Sequence, residues 1–143
     1  MQFIPYLNFD GNCRQAIETY AQIFKGQVVH LSTFGETPGI PNLPEAAKDR
    51  VMHAQLQVGT QALMASDTMP AGAEACGGGY VKPQGLWVSI GVDSVAEGQR
   101  VFAALANGGA VSMPFDKTFW SAGFGMVTDR FGTPWMVNVA AEA

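Results

Sequence analysis

The sequence predicts an α+β chain made of two copies of a βαβββ unit, whose mixed sheets form a concave surface with the helices outside. Three observations predict it: an internal repeat, two amphipathic helical stripes each followed by a glycine and a strand, and paired strand-like segments joined by tight glycine turns. The repeat is the most informative. Shifted by 83 positions, the sequence sets Leu7-x-Phe9-Asp10 on Ile90-x-Val92-Asp93 and Gly26-x-Val28 on Gly109-x-Val111. Farther along the shift is 73, setting Gly59-Thr60 on Gly132-Thr133. A single change of offset means that the first copy carries about ten extra loop residues, and the proline-rich segment before Arg50 supplies them.

Taken in order, residues 3–9 form an apolar strand ending at the turn Asp10-Gly11-Asn12, where Asn12 is a candidate helix cap. Ala16, Ile17, Tyr20, Ile23 and Phe24 recur at helical spacing, and Gly26 is expected to end that helix in a left-handed conformation. Gln27 to Thr33 reads as a strand. Phe34 to Asp49 holds Pro38, Pro41 and Pro44, so it is a loop with at most one helical turn at Glu45 to Lys48. Met52, Ala54, Leu56 and Val58 alternate with Val51, His53, Gln55 and Gln57, giving a strand with one apolar and one largely polar face. Gly59-Thr60 leads into a strand over Ala62 to Asp67. Thr68 to Gly85, rich in Gly, Ala and Pro, is a connector or lid and not a packed element. The second copy starts at Leu86 to Val92. Ser94 and Glu97 make a capping box, and Val95, Val101, Phe102 and Leu105 a helical stripe ended by Gly108-Gly109. Strands are expected at Val111 to Met113, Phe124 to Thr128 and Trp135 to Val139. The boundaries are module one at about 1–67, linker 68–85 and module two 86–143, together forming a single domain over 1–143.

Composition bounds the function. At 143 residues and 48% hydrophobic, the chain can bury about two-thirds of its unfolded surface without disulfides or metals. Net charge is −4, and no Lys/Arg run exists to neutralise a row of phosphates, so no nucleic-acid partner is expected. No apolar stretch approaches the ~20 residues that span a bilayer, so no membrane partner is expected either. The start, Met1-Gln2-Phe3-Ile4-Pro5, lacks the basic-then-apolar order of a signal peptide. Cys13 and Cys76 are expected to be buried thiols in a cytoplasmic protein.

Several motifs resemble the PhnB-type family of the vicinal oxygen chelate superfamily, which includes glyoxalase I, bleomycin-resistance proteins and extradiol dioxygenases. They are Pro5-Tyr6-Leu7-x-Phe9-x-Gly11-Asn12-Cys13, Met64-Ala65-Ser66-Asp67, Phe119-Trp120-x-x-Gly123-Phe124-Gly125 and Thr128-Asp129-x-Phe131-Gly132-x-Pro134-Trp135. The resemblance spans essentially the whole chain and is most specific in the last cluster. It implies that the two modules form a half-barrel around a central cleft. Members often carry a methyltransferase label, but this sequence has no glycine-rich strand-to-helix loop of the kind that holds a nucleotide methyl donor, so that label is discounted.

Metal-using members place ligands on the first and last strands of each module. Those positions fall here on Ile4 (or Pro5), Met64 (or Leu63), Trp87 and Met136, and none of these can hold a hard or borderline divalent ion. No metal and no cofactor are therefore expected. His53 keeps chemistry open: it is either a ligand or general base, with Glu36 or Asp67 as partner, or a hydrogen-bonded histidine lining a pocket. His30 is expected to be simply exposed. Ser66-Asp67 is expected to cap the following loop.

The expected ligand-binding residues are Tyr6, His53, Gln55, Met64, Ser66, Trp87, Trp120, Phe124, Met136 and Asn138, with His53 the best single catalytic candidate. The first expected function is sequestration of an unidentified small apolar or aromatic molecule without a metal. The second is an isomerase, lyase or dioxygenase, either metal-dependent or using His53 as base. A third is a structural module with a filled cleft. A homodimer is expected, because Phe119, Trp120, Phe124 and Phe131 lie in or beside loops.

Overall fold

The computed structural model describes residues 1–71 and 79–140. They divide into two compact units, Met1–Val81 and Lys82–Ala143. Cys76, Gly77, Gly78 and part of the predicted connector lie outside the described residues.

The first unit contains β1 (Tyr6–Phe9), α1 (Cys13–Ile23), β2 (Gln27–Thr33), a short 3-10 turn at Glu45–Ala47, β3 (Val51–Val58) and β4 (Gln61–Asp67). Its sheet has the order β1-β4-β3-β2, with β1 parallel to β4 and the other pairs antiparallel. Helix α1 buries Cys13, Ala16, Ile17 and Tyr20. This spacing makes one stripe, and it packs across β3 and β4. The sheet face beneath supplies Leu7, Phe9, Ala54, Leu56, Leu63 and Ala65, all buried. Period-2 alternation turns Tyr6, Asn8, His53, Gln55, Met64 and Ser66 to the opposite face, where each is half-buried or exposed.

The second unit repeats the order: β5 (Val88–Val92), α2 (Val95–Ala106), β6 (Ala110–Asp116), β7 (Ser121–Thr128) and β8 (Pro134–Ala140), with sheet order β5-β8-β7-β6. Neither sheet closes into a barrel, and the two βαβββ modules are those that the repeat predicts. Strand β6 outruns its predicted end because Phe115 packs between Gly98 of α2 and Gly123 of β7, whose Cβ positions would lie 2.6 and 2.5 Å from the Phe115 ring. It crosses Pro114 with a register shift, which an edge strand tolerates. The strand β7 likewise begins three residues before its predicted start at Phe124, while β1 and β5 begin later than predicted.

Four local expectations are corrected. The residue with positive φ at the end of α1 is Lys25 (φ 54°), not Gly26. Gly26 is needed for contact: a Cβ there would stand 2.6 Å from the Gln57 carbonyl oxygen. Its repeat partner Gly109 meets the Thr128 carbonyl in the same way. Asn12 occupies the N-cap of α1 without a side-chain bond. The buried Asp67 replaces it, its Oδ1 accepting from the N–H groups of Gly11 (2.8 Å) and Cys13 (3.0 Å), while Oδ2 accepts from Val51 N–H (2.8 Å). So Asp67 holds α1 and β3 and does not cap the loop after it. Finally, Val51 belongs to the buried set despite its place in the polar alternation. The pairing shifts between Ser32↔His53 and Thr33↔Val51, leaving Met52 as an extra residue that reverses the pattern.

Candidate functional site

The open face of the first sheet is laid out by strand register. Tyr6 lies beside Met64, Met64 beside Gln55, and Gln55 beside His30, forming one row across four strands. The next row holds Asn8 beside Ser66 and His53 beside Ser32. Diagonally between the rows, the Tyr6 hydroxyl lies 3.0 Å from His53 Nδ1, with ring centroids 5.7 Å apart. His30 stands on the other side of His53, centroids 5.6 Å apart, and its Nε2 lies 3.2 Å from Ser32 Oγ. Ser66 Oγ donates to Asn8 Oδ1 at 3.2 Å. The Tyr6 bond engages Nδ1 of His53 and not Nε2. The tautomer decides whether Nε2 then donates or accepts.

Toward the Gly59-Thr60 turn the same face opens into a hollow of about 330 Å³. Its walls are Gln2–Ile4 before β1, Gln55 and Gln57 of β3, the segment Thr60–Ala62, and Met64. Gln55 and Met64 belong both to this hollow and to the row that begins at Tyr6. Sequence reasoning missed Gln2, Phe3, Thr60, Gln61 and Ala62 as lining residues, because nothing in their order signals that the chain start folds beside a distant turn. Gln57 was legible from its alternation with His53 and Gln55.

Neither expected acidic partner of His53 is in place. Asp67 lies on the helix-covered face, committed to three backbone N–H groups. Glu36 is exposed in the loop after β2 and is not joined to His53. His30 is exposed, as expected, and its ring also stands beside that of His53. Among the described residues no three of His, Cys, Asp and Glu come together. At the family's metal positions Ile4 and Trp87 offer no donor, and Met64 and Met136 offer thioethers. These residues do not fit a hard or borderline divalent ion.

The second unit carries the other candidates, three of them on its sheet. Phe124 lies beside Asn138 in the register, and Met126 beside Met136, which in turn flanks Ser89. Trp120 meets Phe124 edge-on at 5.6 Å and Phe119 at 4.7 Å. Phe119 is 97% exposed and Trp120 48%, as the loop context implied. Phe131 departs from expectation: it is buried, with the Arg130 guanidinium 4.5 Å from its ring centre. Trp87, half-buried, immediately precedes β5. In the turn between β7 and β8, Asp129 accepts from the backbone N–H groups of Phe131 (2.8 Å) and Thr133 (3.0 Å) and from Trp135 Nε1 (2.8 Å), a structural role like that of Asp67.

Burial and the nearby Asp67 carboxylate push the Cys13 thiol up to about 12. No helix among the described residues is long and apolar enough to cross a membrane.

Residues 1–138 match the family model described as 3-demethylubiquinone-9 3-methyltransferase. The chain is 34% identical to protein YjdN of Escherichia coli, covering 99% of this chain and 97% of that protein. Protein PA1353 from Pseudomonas aeruginosa has a similar structure, with TM-score 0.87, 47% identity and 99% of each chain covered. The PhnB protein from Bacillus cereus aligns with TM-score 0.75 at 23% identity over 98% of this chain and 100% of that one, a likeness of fold alone. Chains of the glyoxalase/bleomycin resistance/dioxygenase fold, at 14% and 16% identity, share the fold as well.

Proposed function

The chain belongs to the 3-demethylubiquinone-9 3-methyltransferase family, PhnB-type proteins of vicinal oxygen chelate fold, and from that premise we propose that it is a binding protein for a small apolar or aromatic molecule, with no conventional metal site. The observation that carries this reading is the open face of the first unit. There Tyr6, His53, Gln55 and Met64 lead into a hollow of about 330 Å³, near the lower end of the range for small-molecule sites. Methyl transfer is no part of the reading. Both strand-to-helix junctions, Asp10-Gly11-Asn12 and Asp93-Ser94, lack the glycine-rich turn that would cradle a nucleotide donor. The protein acts in the cytoplasm as a homodimer in this reading, which the exposed Phe119 and Trp120 rings support. Within the second unit, considered by itself, Trp87, Trp120, Phe124, Met136 and Asn138 are the proposed ligand-contact residues.

Native mass spectrometry with metal analysis, on protein purified without chelators, tests the proposal. A co-purifying organic mass without stoichiometric metal is expected. Stoichiometric zinc, nickel, manganese or iron that disappears in His53→Ala overturns it.

The Tyr6–His53 bond favours one second reading, a metal-free isomerase or lyase with His53 as general base. A base is most effective when its ring is held in one orientation, and the Tyr6 hydroxyl holds this one. Turnover lost in His53→Ala, with ligand affinity retained, would establish it.

A further inference from the structure

The hollow at the Gly59 end of the first sheet is lined by four glutamines, Gln2, Gln55, Gln57 and Gln61, which come from three separate parts of the chain. Between them lie only Phe3, Ile4, Ala62, Met64 and the Thr60 residue, so no lining side chain is charged. A bare polar sheet face facing water has no need of this composition. Charged side chains serve that purpose with better solubility, and this protein uses them on its helical turns, as in the Arg100–Glu97 and Lys48–Glu45 pairs.

The chemistry of the amide is selective. Each glutamine presents two N–H donors and one carbonyl acceptor, with no net charge. A carboxylate or ammonium ligand would lose hydration on entering and find no opposite charge to replace it. A hydrocarbon would leave several amides without the hydrogen bonds they make to water. A neutral group with adjacent donor and acceptor answers both problems. Gln57 is already half-committed: its Nε2 donates to the Gly59 carbonyl at 2.9 Å, which leaves its Oε1 as an acceptor. Phe3, 94% exposed, and the Met64 thioether supply apolar surface for a flat ring.

We infer that this hollow recognises an uncharged planar ring bearing a carboxamide, lactam or similar paired donor and acceptor. The inference rests on the small-molecule reading above and names the ligand class of the same face. A hollow of about 330 Å³ lies at the small end of the range for small-molecule sites, which suits a single substituted ring.

Benzamide, benzoate and benzamidinium have nearly the same shape and differ in charge. NMR titration of the whole protein with each reads the side-chain amide signals of Gln55, Gln57 and Gln61, alongside the imidazole signals of His53. Benzamide is expected to move the glutamine signals at millimolar concentration, with the two ions binding at least tenfold more weakly. Gln55→Glu is expected to invert the order, weakening benzamide at least tenfold and strengthening benzamidinium by a similar factor. Gln61→Glu, at the exposed start of β4, repeats the inversion at a second position. Equal binding of benzoate and benzamide overturns the inference, as does an order that neither variant changes, or glutamine signals that none of the three moves. Shifts confined to His53 overturn it while leaving the broader small-molecule reading intact. Conversely, glutamine shifts in a protein that carries stoichiometric metal at His53 overturn that broader reading and leave the ligand class standing.

Discussion

Tyr6 and His53 are 47 residues apart in the chain, and the Tyr6 hydroxyl lies 3.0 Å from His53 Nδ1. They sit on β1 and β3, two strands separated by β4, so a hydrogen bond between them spans a whole strand of the sheet. Only long side chains on the same face can do this. Replacing Tyr6 by Phe keeps the ring and removes the bond. The ¹⁵N signal of His53 Nδ1 is expected to move, while stability falls by less than about 1.5 kcal/mol, since the pair is exposed. An unmoved Nδ1 signal would separate the two residues functionally.

Asp67→Ala is expected to be among the most damaging single substitutions in the first unit. It leaves the N–H groups of Gly11, Cys13 and Val51 without their acceptor, two of them buried, and releases both α1 and β3. A loss of about 3–5 kcal/mol is expected by urea denaturation. Asp67→Asn recovers only part of it, because one amide nitrogen then faces an N–H donor.

Lys25 and Gly108 hold the same place in the two modules, with φ of 54° and 74°. A side chain in that conformation costs about 1–2 kcal/mol, partly offset by the greater freedom of unfolded glycine. Lys25→Gly is therefore expected to stabilise by about 0.5–1 kcal/mol, raising the melting temperature by about 1–4 °C. Gly108→Ala is expected to lower it by a similar amount. Differential scanning calorimetry of both variants checks the pair.

Cys13 has a pKa raised from 9.0 to about 12 in the folded chain. Above its ordinary pKa the unfolded thiol loses its proton while the folded one keeps it. Stability is therefore fully present below pH 9 and falls between pH 9 and about 12, by about 1.4 kcal/mol per pH unit from this group. Denaturant titrations across that range should show the decline, and Cys13→Ala should remove this part of it. In a Cys76→Ser background, Ellman's reagent at pH 8 is expected to leave Cys13 unmodified until urea unfolds the protein.

Phe119 and Trp120 are expected to be covered by a second copy of the chain. Burying each ring is worth about 2–3 kcal/mol. Sedimentation equilibrium near micromolar concentration is expected to give close to twice 15.2 kDa, and a mass near 15.2 kDa removes the dimer. Phe119→Asp combined with Trp120→Asp should shift the mass toward the single chain without lowering the helical signal.

The architecture was legible in the sequence because its signals are local or repeated. The stripe Ala16–Ile17–Tyr20, the alternation Ala54–Leu56 against His53–Gln55, and the 83-residue offset each depend on neighbours or on a second copy. Period alone assigned Tyr6, Gln55, Met64 and Ser66 to the uncovered face. What the tertiary structure decided was pairing across distance. Asp67 follows Ser66 by one residue, so period already sets it on the face opposite His53, and the fold decides that it meets the N-terminus of α1 there. Tyr6 became the partner of His53, and Gln2 joined Gln55 and Gln61, through strand order, in which β1 enters beside β4 and not beside its sequence neighbour β2. A chain's periodicity states which side of a sheet a residue takes. Which distant residue it meets there depends on strand order and register, set by packing over the whole module.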